Sequence, residues 1–207
     1  MRQNFERSLA AVLKHEGGFA NHPDDPGGAT MKGVTQAVYD AYRRRLGLFT
    51  RTVKLIADDE LRDIYRKQYW LAVHGDELPS GIDYCVFDFA VNSGPGRAIK
   101  HLQMALGVTA DGIIGQITLR AAEEADPAVI IAGVCDRRMF FLRNLSTFAT
   151  FGKGWTARVN GVRTLAKEMA RNGATFVPDG ETIKVPTPQP VAKAGLWRRF
   201  WAWLKGN

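Results

Sequence analysis

The chain of 207 residues is 45% hydrophobic and 24% charged, which is typical of a globular protein that can fold without a metal or a disulfide. Its formal net charge is +7, and residues 191–207 contain four basic side chains and no acidic one. Because the excess charge is concentrated at that end, it argues against a nucleic-acid-binding groove across the body. No segment is apolar for long enough to cross a membrane as a helix.

Apolar residues recur at helical spacing along most of the chain and predict an all-α fold. In the first helix, Phe5, Leu9 and Val12 form an apolar stripe, which Glu16 continues before two glycines end the helix. Further helices are predicted over residues 35–47, 58–75, 80–94, 97–107, 111–125, 127–145 and 157–173. Residues 80–94 are apolar on nearly every side, which indicates a central buried helix. No segment alternates with period two, so no sheet is predicted.

The composition changes after residue 174. Residues 175–195 hold four of the nine prolines and are predicted to be a linker. Residues 196–207 are rich in tryptophan and basic side chains and predict a short amphipathic tail helix. Such a helix fits an anionic membrane or an outer-membrane surface, and the alternative is docking on the body.

The segment LKHEGGFANHPDDPGGATMKG, from Leu13 to Gly33, carries the candidate catalytic groups. Glu16 lies at the end of a helix, where the dipole is negative, and on the buried stripe, so both effects should raise its pKa. A glutamate that stays protonated near neutral pH can act as a general acid in glycoside hydrolysis. The alternative for Glu16 is a salt bridge at the helix end.

A second carboxylate is expected from the turn that follows. Asp24 and Asp25 lie among prolines and glycines, where solvent should keep them ionised, and Thr30 could position a water molecule with its hydroxyl. Two carboxyl groups in contrasting environments are typical of an acid and a base that share one reaction. For Asp25 and Thr30 the alternative is a hydrogen bond within the turn, and either aspartate could be the second carboxylate.

Two further residues are candidates for binding a glycan. Trp70 could offer an aromatic face to a sugar ring or pack in the core. Asn92 ends the apolar helix beside a glycine and could place its amide in a cleft or cap the helix. Asp88, in the same helix, should be paired because an isolated buried charge is costly.

The cysteines and histidines predict no metal site and no cofactor. Cys85 and Cys135 lie in apolar runs without a CxxC motif, which favours buried free thiols over a disulfide. The HExxH motif of zinc proteases is absent, since Phe19 stands four residues after His15, and the other histidines lack ligand-like spacing.

The motifs HEGGF and DDPGGATMKGVT resemble those of glycoside hydrolase family 108, bacterial and phage muramidases of the lysozyme superfamily. The spacing of Glu16, Asp25 and Thr30 is similar to the Glu–Asp–Thr constellation of phage-type lysozymes. YW at 69–70 and FDFAVNSGPGRAIKHLQMALG…DGIIGQITLRAA resemble the second half of the family, a peptidoglycan-binding region. The resemblance implies a lysozyme-like fold in which Glu16 protonates the leaving oxygen and Asp25, with Thr30, holds the attacking water.

Taken together, these patterns predict a catalytic region over 1–95, a helical peptidoglycan-binding-like lobe over 96–174, the linker and the tail. The expected activity is hydrolysis of the β-1,4 bond between N-acetylmuramic acid and N-acetylglucosamine in peptidoglycan, in a phage or prophage endolysin. The alternatives are a lytic transglycosylase and a non-catalytic wall-binding or secretion-associated protein. Because no secretory signal is recognisable, we expect synthesis in the cytoplasm and release to the wall through a holin-type pore or a dedicated export route.

Overall fold

The computed structural model describes residues 4–21 and 28–172, so the predicted linker and tail lie outside the described residues. The described part contains eight α-helices and one short hairpin, which confirms the all-α prediction. The helices are α1 (Asn4–Leu13), α2 (Gln36–Arg45), α3 (Asp58–Tyr65), α4 (Ile82–Ser93), α5 (Pro95–Leu106), α6 (Gln116–Glu124), α7 (Pro127–Arg143) and α8 (Phe148–Asn172). Strands β1 (Thr30–Met31) and β2 (Val34–Thr35) pair antiparallel, with Met31 opposite Val34. No helix in this part combines the length and apolarity needed to cross a membrane.

The described residues form two compact units. The hairpin unit comprises residues 9–21 and 28–66, and the bundle unit comprises residues 4–8 and 67–172. The sequence instead predicted a catalytic region that ends at residue 95 and a peptidoglycan-binding-like lobe that begins at residue 96. That functional boundary differs from the division into compact units and stays a prediction.

In the hairpin unit, the short strands lead directly into α2. Thr35 closes β2 and caps α2, because its side chain accepts a hydrogen bond from the backbone N–H of Val38. After α2, a loop and a 3₁₀ turn (Val53–Leu55) lead to α3. The hairpin was not predicted because two residues per strand are too few to show an alternating pattern.

In the bundle unit, α4 is the central helix, as predicted. All twelve of its residues are buried, and helices α5, α7 and α8 pack against it. Since every face of α4 meets another helix, its near-uniform apolarity is the pattern of a fully enclosed helix.

The charge of Asp88, at the centre of α4, is neutralised by two other helices. Arg138 from α7 donates to Asp88 Oδ1 at 2.7 Å, and Arg158 from α8 donates to Oδ2 at 3.0 Å. Burial alone would raise the pKa of Asp88, but the two guanidinium groups offset that effect and hold the pKa below its usual range. The prediction that Asp88 is paired is confirmed.

Candidate active site

Glu16 lies three residues beyond the last residue of α1, in a turn that folds back onto the helix. The backbone N–H groups of His15 and Glu16 donate to the carbonyls of Val12 and Leu13, at 2.9 and 3.3 Å. The Glu16 side chain is only 7% exposed. The structure thus gives Glu16 the partial burial on which its predicted role depends.

The carboxyl group of Glu16 contacts the tip of the hairpin. Lys32 and Gly33 form the two-residue turn between β1 and β2, with φ values of 46° and 78°. Positive φ at both positions is the conformation in which a two-residue turn matches the twist of its strands. A Cβ atom at Gly33 would lie 3.1 Å from Glu16 Oε2 and 2.5 Å from Tyr65 Oη. Both the backbone conformation and the lack of space therefore require glycine here.

Helix α3 holds the hairpin tip in place through two contacts. Tyr65, at the end of α3, is 1% exposed, and its hydroxyl donates to the Lys32 carbonyl at 2.9 Å. At the start of α3, Asp58 Oδ1 pairs with Lys32 Nζ at 3.1 Å. The hairpin backbone beside the Glu16 carboxyl is thus anchored at both ends of one helix.

Thr30 begins β1, and its main chain pairs with Ala20 through two hydrogen bonds of 2.8 and 2.9 Å. Its hydroxyl donates to the Gly28 carbonyl at 3.3 Å, which is the local turn bond considered as its alternative. Donation uses the proton and leaves the oxygen lone pairs able to accept a bond from water. Asp24 and Asp25 lie outside the described residues, so the second carboxylate stays a prediction.

Trp70 does not offer a binding face, and the prediction of an aromatic platform there was wrong. Its ring has 0% exposure and packs against Phe5 and Phe87, with centroids 5.5 and 5.4 Å away. The indole N–H donates to Asp76 at 2.9 Å. Trp70 is a core residue, which was the alternative considered for it.

Asn92 lies in the last turn of α4 and is 1% exposed. Its Oδ1 accepts a hydrogen bond from the Ser93 hydroxyl at 3.1 Å, whereas Nδ2 is buried without a hydrogen-bond partner in the described part of the chain. A buried donor left unpaired costs about 1–3 kcal/mol, so an acceptor that reached it would bind favourably. Gly94 follows with open space at its Cβ position.

Comparison with known proteins places the chain in a family. The sequence matches the family model for glycosyl hydrolase 108 over residues 9–94 and the model for a predicted peptidoglycan domain over residues 97–160. The solved structure of Brucella abortus SagA is 43% identical, with a TM-score of 0.72, over 83% of this chain and 98% of that one. The chain belongs to glycosyl hydrolase family 108. No protein with a curated description matches it.

As a family 108 member, the protein is a glycoside hydrolase that acts on peptidoglycan, and peptidoglycan is its partner. Its all-α fold is lysozyme-like, as the resemblance implied. The motif that carried the resemblance, from Glu16 to Thr30, lies inside the range matched by the family model.

Sequence reasoning missed two residues beside Glu16, Gly33 and Tyr65. The role of Gly33 depends on the hairpin, whose two-residue strands are too short to show a pattern in the sequence. No local signal could have identified Tyr65, because it lies 33 positions along the chain from Lys32, whose carbonyl accepts its hydrogen bond.

Proposed function

We propose that the protein is an N-acetylmuramidase, which hydrolyses the β-1,4 bond between N-acetylmuramic acid and N-acetylglucosamine. The observation that supports this most is the Glu16 carboxyl: in a family 108 chain it is 7% exposed and contacts the hairpin tip at Gly33. A largely desolvated carboxyl that keeps its proton can donate it to a leaving glycosidic oxygen.

The proposed reaction divides the work between two carboxyl groups. Glu16 protonates the oxygen of the departing sugar, and Asp25 accepts a proton from the attacking water, which Thr30 helps to hold. Direct attack by water requires roughly 6.5–9.5 Å between the carboxyl groups, to leave room for that molecule. A glycan contact of Asn92 stays a prediction, and it requires the end of α4 to open, because Nδ2 is closed to solvent.

The deciding experiment is mass spectrometry of fragments released from purified sacculi by the wild type and by Glu16→Gln. We expect wild-type fragments to end in a reducing N-acetylmuramic acid, and the release rate to fall at least about 100-fold in Glu16→Gln. An exposed glutamate on α8 supplies the matched control, since Glu168→Gln makes the same chemical change outside both ranges that the family models match and should keep full activity.

Other outcomes would redirect the assignment. Full activity of Glu16→Gln would overturn it. Anhydro ends together with full activity of Asp25→Ala would identify a lytic transglycosylase, which needs only the glutamate. Binding to sacculi without release of any fragment would identify a wall-binding protein.

The biological setting stays a prediction from the sequence. We propose a phage or prophage endolysin that reaches the wall through a holin-type pore or a dedicated export route. Contact of the tail, residues 196–207, with an anionic membrane is a further prediction, which cosedimentation of the full chain with anionic and neutral vesicles would test.

A further inference from the structure

Two cysteines outside the candidate active site touch each other in the bundle unit. Cys85 lies on α4 and Cys135 on α7, 50 residues apart in the sequence, and their Sγ atoms are 3.6 Å apart. Both side chains are buried, with exposures of 2% and 1%. The sequence favoured two free buried thiols, and the structure has both thiols free.

The distance between the sulfur atoms is that of two thiols in van der Waals contact. A disulfide requires an S–S separation of about 2.05 Å and Cβ atoms about 3.5–4.5 Å apart. The 3.6 Å separation places the two sulfurs face to face between neighbouring helices, and a disulfide requires them to approach each other by about 1.5 Å.

A positive charge lies close to both thiols. The 3.6 Å contact between the sulfurs is within hydrogen-bonding range, either thiol can be the donor, and the charge of Arg138 favours the thiolate form of both cysteines by lowering the pKa, against the effect of burial. Because the thiolate is the attacking species in disulfide exchange, either cysteine can attack first.

We propose that Cys85 and Cys135 are a site of oxidative modification, which becomes a disulfide between α4 and α7 when the chain meets an oxidising environment. The oxidant is a disulfide-bearing molecule, RSSR. One of the two thiolates attacks it and releases one RS⁻, and the other thiolate then attacks the protein sulfur of the mixed disulfide and releases the second. Two thiols are oxidised, one disulfide is reduced to two thiols, and the protein loses two hydrogen atoms.

The substrate of the protein supplies the setting for this reaction. Peptidoglycan lies outside the cytoplasm, and the compartments there permit disulfides that the cytoplasm keeps reduced. Because both sulfurs are closed to solvent, RSSR reaches them before α4 and α7 have packed or when the bundle unit opens. The cross-link would close a loop of about 50 residues, which restricts the unfolded chain and favours the folded one.

The test is to unfold the full chain and refold it in a glutathione redox buffer, with a parallel sample in a thiol reductant. We expect the intact mass of the first sample to be lower by two hydrogen atoms, with one crosslinked peptide that joins the two cysteines. Its unfolding midpoint in denaturant should exceed that of the reduced sample. Cys85→Ser is the control and should show neither the mass change nor the difference in midpoint.

Three results would overturn the proposal. Both thiols could remain free to alkylation after oxidative refolding, each could carry glutathione without a crosslink, or the crosslinked form could unfold at a lower denaturant concentration than the reduced form. None of these readouts depends on glycosidase activity, so the proposal stands or falls separately from the muramidase assignment.

Discussion

Gly33 lies beside the Glu16 carboxyl at the hairpin tip, and replacing it tests the geometry of the site. In Gly33→Ala, the positive φ of 78° costs about 1–2 kcal/mol, and the new methyl group would also lie 2.5 Å from Tyr65 Oη. The hairpin tip must then move away from Glu16. We expect kcat on soluble glycan to fall by about 100-fold, as displacement of catalytic groups by about 1 Å can do. Steady-state kinetics and the free energy of unfolding would measure both effects.

The control for Gly33→Ala separates backbone strain from crowding. Gly47 has a similar φ of 71° with no atom within 4 Å of its Cβ position, so Gly47→Ala should lose stability from strain alone and keep its activity. In a Tyr65→Phe background the crowding atom is gone, so Gly33→Ala should cost less stability than in the wild type. An equal cost in both backgrounds would contradict the role assigned to the Tyr65 hydroxyl.

For single residues, the sequence predicted the features that depend on neighbouring positions in the chain. Glu16 continues the apolar spacing of α1 into the turn beyond its end, and that pattern predicted its burial. Trp70 was misjudged because its burial depends on Phe5 and Phe87, which meet it only after folding. The local sequence of an aromatic residue at a helix end is the same whether its ring is enclosed or open.

Helix α4 carries a buried ionic cluster, in which Asp88 pairs with two arginines. In Asp88→Asn, the guanidinium groups of Arg138 and Arg158 stay buried and lose the charge that neutralises them. Removing one member of a buried ionic cluster typically costs about 3–5 kcal/mol. We expect a loss of that size in the free energy of unfolding, measured by denaturant titration.

The matched control lies on α7, where Asp136 pairs with Arg163 from α8. The Asp136 side chain is 69% exposed, and exposed pairs contribute about 0–1 kcal/mol, so Asp136→Asn should change stability little. Equal losses in the two variants would show that burial does not decide the strength of the Asp88 contact.

The sequence predicted the end of a helix correctly where a capping residue marks it, and less well where no such residue is present. Gly107 ends α5 in the left-handed conformation, as the glycine rule predicted. Helix α8, by contrast, begins at Phe148 and not at residue 157. In its first turns, Phe148 and Phe151 pack on Trp155. This aromatic cluster stabilises the start of the helix, where the sequence shows no clear apolar stripe.

For the whole molecule, two carboxyl groups whose pKa values folding shifts in opposite directions contribute to the response of stability to pH. The pKa of Asp88 lies below its usual range, so its stabilising effect is lost only in strong acid. Burial raises the pKa of Asp83 from 3.8 to about 6, although the Asn4 amide and the backbone N–H groups of Tyr84 and Gly81 partly offset it. Near neutral pH, Asp83 therefore titrates and Asp88 does not.

The titration of Asp83 should therefore increase the free energy of unfolding as the pH falls from 7 to 5. The folded state binds the Asp83 proton more tightly than the unfolded chain, so the contribution is present in full below about pH 4 and is lost as the pH rises through 6. A shift of this size amounts to roughly 1 kcal/mol between pH 7 and pH 5.

His101 acts in the opposite sense, because burial, Arg97 and Arg137 lower its pKa, so the wild-type curve alone is not decisive. The measurement is the difference between the free energies of unfolding of the wild type and Asp83→Asn across this range. A difference that does not change with pH would contradict the titration of Asp83 in the folded protein.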